Sequence, residues 1–192
     1  MSNKIDKKEI ILTIAMKKFA RYGIRKTTID EIAQEAHISK GLIYHYFSNK
    51  EDIFYAVLDR EVQIIEKLIH EELEKTQTPR DKLKVFIETS IKRLTDNFNL
   101  KDLLNNIHQI GVPEVLNRIQ EYVKREIILI KNILIEGMDK GDFKKIDPYR
   151  TAVAYFMFIR NMLFQLKYVD DALDFDEMLE LCSNIFLEGI NT

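Results

Sequence analysis

Thr27-Thr28-Ile29-Asp30-Glu31-Ile32-Ala33-Gln34-Glu35-Ala36-His37-Ile38-Ser39-Lys40-Gly41-Leu42-Ile43-Tyr44-His45-Tyr46-Phe47-Ser48-Asn49-Lys50 decides the fold, because it reads as two short helices joined by a tight turn. Thr28 precedes Glu31 at the spacing of a reciprocal capping box, and Asp30 and Glu31 complement the positive end of a helix dipole. Ile29, Ile32, Ala33 and Ala36 recur on one face, leaving Gln34 and Glu35 to solvent. Ser39 is the next N-cap residue, so only His37 and Ile38 remain for the turn. In the second helix Ile38, Leu42 or Ile43, and Phe47 can anchor to a core. Lys40, Gly41, Tyr44, His45 and Tyr46 are then available to a partner. This is a helix-turn-helix, whose second helix fits a DNA major groove about 12 Å wide.

The segment resembles the DNA-binding domain of the TetR/AcrR family of bacterial one-component repressors. That pattern runs from a capped Thr through Ile-Ala and a Gly-Val-Ser turn to Lys-Gly-x-x-Tyr-x-Tyr-Phe and a Lys. The likeness extends upstream through Phe19-Ala20-Arg21-Tyr22-Gly23 and downstream through Glu51-Asp52-Ile53-Phe54, roughly residues 9 to 58. Beyond it the chain resembles the family only in length and helical character. The resemblance implies that Lys40, Gly41, Leu42 and Tyr44 lie at base edges and that Thr28, His45, Tyr46 and Lys50 lie near phosphates; Ser39, at the head of the second helix, completes the DNA-binding set. Lys40 can donate to guanine O6 or N7, Gly41 permits close approach, and Tyr44 offers a hydroxyl and a ring for a thymine methyl. Lys50 suits phosphate neutralisation, which carries affinity without sequence information.

Two positions depart from the pattern. His37 stands where the family usually has Gly, at a turn position expected to need positive φ, and His is among the residues enriched there. It is read as a turn residue in preference to a DNA contact. Leu42 replaces a small or hydroxylated residue, which bears on the operator sequence and not on the fold.

Charge is divided in the same way. Residues 1–50 carry 10 Lys/Arg against 5 Asp/Glu, and residues 51–192 carry 19 against 26. The net of +5 lies where DNA would sit, although the whole chain is −2. Residues 1–50 are therefore expected to be the DNA-binding domain and residues 51–192 a helical effector-binding and dimerisation domain. Cys182 stands alone, which excludes an intramolecular disulfide, and its apolar neighbours Leu181 and Ile185 predict a buried thiol. The N-terminus lacks the apolar core of a signal peptide, and the most apolar run, residues 152–166, is too short and too polar to span a membrane. These features predict a soluble cytoplasmic protein.

With 6 Gly and 3 Pro punctuating long periodic segments, an all-α fold of about nine helices is expected. A first helix should run from about Lys7 to Tyr22 and end at Gly23, and a long one from about Lys50 to Lys75. Thr78-Pro79 and Asp147-Pro148 open further helices, Gly141 closes the one begun near Glu114, and the last spans Phe175 to Glu188. The helix beginning at Pro148 is apolar on two faces and needs two partners. Phe156, Ile159 and Leu163, with Met178, Cys182, Ile185 and Phe186 of the last helix, are candidates for a four-helix homodimer interface, an arrangement the resemblance also implies. Phe86, Ser90, His108, Tyr122, Met138, Tyr155, Asn161 and Gln165 are candidate walls of a pocket for a small apolar or amphipathic effector.

No His-Glu-x-x-His and no glycine-rich phosphate loop occurs, and the four His are dispersed at 37, 45, 70 and 108. Neither an enzyme nor a metal or cofactor site is expected. The leading reading is a ligand-responsive repressor that binds a palindromic operator in double-stranded DNA as a dimer. The alternative is an all-helical carrier or scaffold that keeps the fold without regulating transcription.

Overall fold

Helix ends in this protein are set by local chemistry. In a computed structural model, which describes residues 6–96, 113–165 and 174–191, eight helices are present. They are α1 (Lys7–Lys26), α2 (Ile29–Glu35), α3 (Lys40–Tyr46), α4 (Lys50–Glu74), α5 (Pro79–Asp96), α6 (Pro113–Lys140), α7 (Pro148–Gln165) and α8 (Phe175–Ile190). There are no strands among the described residues, only an isolated antiparallel bridge between Phe143 and Asn191. The all-α class and a count near nine accord with the sequence.

The start signals expected at Thr78-Pro79 and Asp147-Pro148 are in use, and Asp174 caps the last helix. Thr78 Oγ1 accepts from the Asp81 amide at 3.1 Å ahead of Pro79, Asp147 Oδ1 accepts from the Tyr149 and Arg150 amides at 3.0 Å around Pro148, and Asp174 Oδ1 accepts from the Glu177 amide at 3.0 Å. The closure of α6 is a Schellman motif. Gly141 has φ 79°, its amide donates to Met138 O at 3.2 Å, and the Asp142 amide donates to Gly137 O at 2.9 Å. The turn brings the Phe143 ring over Gly137, where an added Cβ would fall 2.1 Å from a ring carbon. Helix α1 is interrupted at Gly23 (φ 77°, ψ 158°) and resumes for one short turn to Lys26, so the expected break after Tyr22 is present.

The chain forms two compact units. The first comprises residues 1–66 and 92–117, and its core joins α1 to the helix-turn-helix through Ile11, Ala15, Phe19, Ile32, Ile43, Ile53 and Phe54, all at most 1% exposed. The Phe19 and Phe54 rings meet edge-on with centroids 5.4 Å apart. The second unit comprises residues 67–91 and 118–192, with Leu83, Ile87, Ile130, Leu134, Tyr155 and Leu187 at its centre. Helix α4 contributes to both units. No helix among the described residues is long and apolar enough to cross a membrane.

A candidate nucleic-acid interface

The reader is built from two helices of seven residues each, too short to persist alone, so their ends carry much of the design. At α2 the predicted capping box is complete: the Thr28 amide donates to Glu31 Oε2 at 2.8 Å, and the Glu31 amide donates to Thr28 Oγ1 at 3.2 Å. The Thr28 amide, together with the Thr28 hydroxyl that donates to Glu31 Oε2 at 2.9 Å, holds the Glu31 carboxyl below its ordinary range. At the other end the His37 amide donates to Gln34 O at 3.2 Å and the Ile38 amide to Ala33 O at 3.1 Å, a second Schellman motif. It places His37 at φ 52°, the one positive φ of a non-glycine residue among those described. The sequence reading of His37 as a turn residue is therefore right.

Helix α3 begins at Ser39, whose Oγ accepts from the Leu42 amide at 3.2 Å. Ile43 at 0% exposure and Phe47 at 6% anchor it, with Leu42 half-buried, which settles the choice left open between Leu42 and Ile43. The opposite face presents Lys40, Gly41, Tyr44, His45 and Tyr46, all exposed. The His45 and Tyr46 rings pack edge-on at 5.3 Å. At Gly41 an added Cβ would meet nothing nearer than Ser39 Oγ at 4.0 Å, so no packing inside the protein requires glycine there.

The two lysines are engaged in ways the sequence did not disclose. Lys40 Nζ donates to Asp30 Oδ2 at 2.9 Å and lies 2.8 Å from Oδ1, across the gap between α3 and α2. That carboxylate raises the Lys40 ammonium above the ordinary lysine range. Lys50 is the first residue of α4, half-buried, and its Nζ donates to the carbonyls of Thr27 at 2.8 Å and Arg25 at 3.3 Å. The Thr27 hydroxyl, fully buried, donates to Gly23 O at 2.9 Å and Lys18 O at 3.3 Å. Lys50 thus closes the end of α1 while standing beside the reader.

Behind the reader lies a buried carboxylate that sequence reasoning missed. Glu61 on α4 has a side chain 3% exposed and accepts from Arg60 Nη2 at 2.9 Å and from Arg93 Nη2 of α5 at 2.7 Å. Arg60 also donates to Thr13 Oγ1 of α1 at 3.0 Å. Three helices, α1, α4 and α5, are tied at this point.

In the second unit Phe86, Ser90, Tyr122 and Tyr155 are buried and Met138 is half-buried. Their polar atoms already have partners. The Ser90 hydroxyl donates to Phe86 O at 2.7 Å, the Tyr155 hydroxyl to Leu83 O at 3.0 Å, and the Tyr122 hydroxyl to Glu126, itself 3% exposed. Burial pushes the Tyr155 phenol far above its ordinary value. Glu126, one helical turn from Tyr122, is a further buried acid that periodicity alone did not flag. A cleft of about 270 Å³ between α5 and α8 is lined by Lys84, Glu88, Leu179, Glu180 and Ser183, none of them nominated from the sequence. His108 lies outside the described residues, as do the side chains of Ile159, Asn161, Leu163 and Gln165.

Of the remaining interface candidates, Ile185 is exposed, and Phe156, Met178, Cys182 and Phe186 are half-buried. The Phe186 ring packs at a tilt of 44° against Tyr155 of its own chain, with centroids 4.3 Å apart. Cys182 is therefore less enclosed than its neighbours suggested, because Leu181 and Ile185 are themselves 51% and 59% exposed; partial burial still pushes its thiol pKa up. Met157 and Phe158 on α7, at 64% and 45% exposure, extend this apolar surface.

Comparison with known proteins agrees with this architecture. Residues 11–57 match the family described as bacterial regulatory proteins, tetR family, and residues 58–171 match the YsiA-like protein, C-terminal region. An uncharacterized HTH-type transcriptional regulator, YhgD, of Bacillus subtilis (strain 168) is 26% identical over 188 residues, 97% of this chain and 98% of the relative. The fatty acid metabolism regulator protein of the same organism is 28% identical over 146 residues, 76% of this chain and 75% of the relative. A crystal structure of the transcriptional regulator FadR from Bacillus subtilis in complex with stearoyl-CoA aligns with a TM-score of 0.76 at 26% identity, covering 94% of this chain and 95% of that one. The relatives are transcriptional regulators. With a reader of this geometry and a chain matched from residue 11 to residue 171, the protein belongs to the TetR family of bacterial regulatory proteins and is a DNA-binding transcriptional regulator.

Proposed function

We propose that this regulator is a repressor that binds a palindromic operator as a homodimer and releases it on binding a long-chain acyl-CoA. The observation that carries the reading is the exposed face of α3, where Lys40, Gly41 and Tyr44 surround a helix start anchored from behind by Ile43. Lys40, Gly41, Leu42 and Tyr44 address base edges. Thr28, Ser39, His45, Tyr46 and Lys50 lie along the phosphates, where they set register without reading sequence. Residues 1–50 act as the DNA-binding domain and residues 51–192 as the effector-binding and dimerisation domain.

Two apolar helices with exposed Met157, Phe158, Leu181 and Ile185 support a dimer built on α7 and α8. A twofold axis then presents two copies of α3 to half-sites roughly one helical turn or more apart. The effector class rests on the relatives, one a fatty acid metabolism regulator and one solved with stearoyl-CoA. The buried Tyr122–Glu126 pair supplies a polar mark within the second unit. The effector acts by binding the DNA-incompetent arrangement more tightly, through α4, which contributes residues to both units.

Selection of bound duplexes from random DNA, followed by titration with stearoyl-CoA, tests this directly. A symmetric consensus whose binding weakens steeply with salt and about 5- to 150-fold with acyl-CoA is expected. An asymmetric or absent consensus would refute the operator reading. Full retention of operator at saturating acyl-CoA would refute the effector class.

A further inference from the structure

We infer that Asp30 is a specificity-determining residue of the DNA reader: its carboxylate fixes the Lys40 ammonium and repels phosphate, lowering affinity for DNA in general while sharpening discrimination at the base pair Lys40 addresses. The inference rests on the DNA-reading role proposed for Lys40. Both carboxylate oxygens face Nζ, at 2.8 and 2.9 Å. An ammonium has three donors, and a carboxylate that occupies two of them leaves one direction for a third partner. Without that restraint lysine is a point charge on a flexible stem and pairs with any phosphate in reach, a contact that carries no sequence information.

The pair is not explained by folding. The side chains are 49% and 68% exposed, and ion pairs so exposed contribute little to stability. Helix α2 already has a complete cap in Thr28 and Glu31, so Asp30 adds to its start only a favourable charge at the positive end of the dipole. What remains is an exposed negative charge between Thr28 and Lys40, on the surface that must approach a polyanion. Such a group weakens every DNA complex and weakens most those in which Lys40 must leave it for a phosphate. A repulsive element of this kind is a common route to discrimination. Asp30 is thus a positioning residue, acting on the base through Lys40.

The test uses the full chain and fluorescence anisotropy on three sets of duplexes: the selected operator, its single base-pair variants and a scrambled sequence. Asp30→Asn should bind the scrambled duplex about three- to tenfold tighter, with a salt slope steeper by about one unit per protomer. It should also lose about fivefold or more of the discrimination at the base pair where Lys40→Ala loses it, and at no other. In a Lys40→Ala background the same substitution should no longer alter discrimination there. A thermal midpoint equal to that of the parent separates these effects from folding. If Lys40→Ala changes one position and Asp30→Asn leaves that position intact, the inference is overturned while the DNA-reading assignment stands. It is overturned likewise if Asp30→Asn changes a different base pair, because Asp30 would then read a base itself. If Lys40→Ala changes no position, the assignment of Lys40 and this inference fall together.

Discussion

Replacing Glu61 with glutamine removes one negative charge and little volume from a place where two guanidiniums converge. In the parent, Arg60 and Arg93 each donate one hydrogen bond to a carboxylate whose side chain is 3% exposed. Hydrogen bonds to a charged partner contribute about 1.5 to 3 kcal/mol each, and breaking a buried ion pair costs about 3 to 5 kcal/mol. Hydration returns part of that here, because the arginine side chains are 16% and 26% exposed. Nor is the native arrangement free of strain, since the Nε atoms of both arginines are buried with no hydrogen-bond partner among the described residues. A loss of about 2 to 4 kcal/mol follows, which in a chain of this size lowers the thermal midpoint by about 5 to 15 °C. Urea unfolding followed by circular dichroism, at fixed protein concentration, reads it. A triple variant, Arg60→Met, Glu61→Leu and Arg93→Met, should recover most of the loss, because the penalty comes from stranded charge. If Glu61→Gln loses less than about 1 kcal/mol, or the triple variant is no better than the single one, the reasoning is refuted.

Four further outcomes are expected. His37→Gly should raise the urea midpoint by an amount equivalent to about 1 kcal/mol, since glycine takes the positive φ of 52° without the steric penalty histidine carries; a lower midpoint would show that the imidazole makes a stabilising contact. Lys50→Ala should weaken all duplexes alike and also lower stability by about 1 kcal/mol through the two carbonyls it leaves at the end of α1, and a change in sequence preference would contradict its assignment to phosphate. Phe158→Asp should yield a helical monomer by light scattering, because the side chain is 45% exposed within its own chain, and a variant that stays dimeric would move the interface elsewhere. Lys140 and Lys82 hold the Glu136 carboxyl below its ordinary range, so its contribution is complete above the pH at which an unfolded glutamate titrates, about 4.3, and is lost as pH falls through the depressed native value; Glu136→Gln should flatten that acid limb of stability, and an unchanged limb would assign it to other carboxylates.

The parts of this protein that were legible in its sequence are those whose partners are close in the chain. Thr28 with Glu31, Ser39 with Leu42, and His37 in its turn are all settled within five residues, so spacing alone fixes them. The polar contacts that modify the reader's chemistry are not local. Lys40 finds Asp30 ten positions away, Lys50 finds Thr27 across 23 positions, and Arg93 finds Glu61 across 32. Nothing in a periodic pattern distinguishes those acids and bases from solvated ones until the helices are packed. Leu42 and Ile43 were indistinguishable because adjacent apolar residues on a helix differ only in direction, and packing chose Ile43. The surface proposed for a dimer is ambiguous for a related reason: apolar residues on α7 and α8 do not declare which of them face their own core, so Phe186, nominated for a partner, is partly taken by Tyr155.

Gly41 sits on the presenting face of α3 with open space where a side chain would be. The fold gives it no reason to be glycine, and helix propensity argues against it by about 1 kcal/mol relative to alanine. Positions of this kind uncouple the inheritance of a fold from the inheritance of a target. On the proposed reading of α3, substitutions there are filtered by which DNA the protein occupies and hardly at all by whether it folds, so a library randomised at residue 41 should consist almost wholly of well-folded proteins that differ in operator preference. The same tolerance makes this single site an entry point for retargeting the regulator, and an accessible step by which duplicated copies could diverge to separate promoters without an intervening loss of stability.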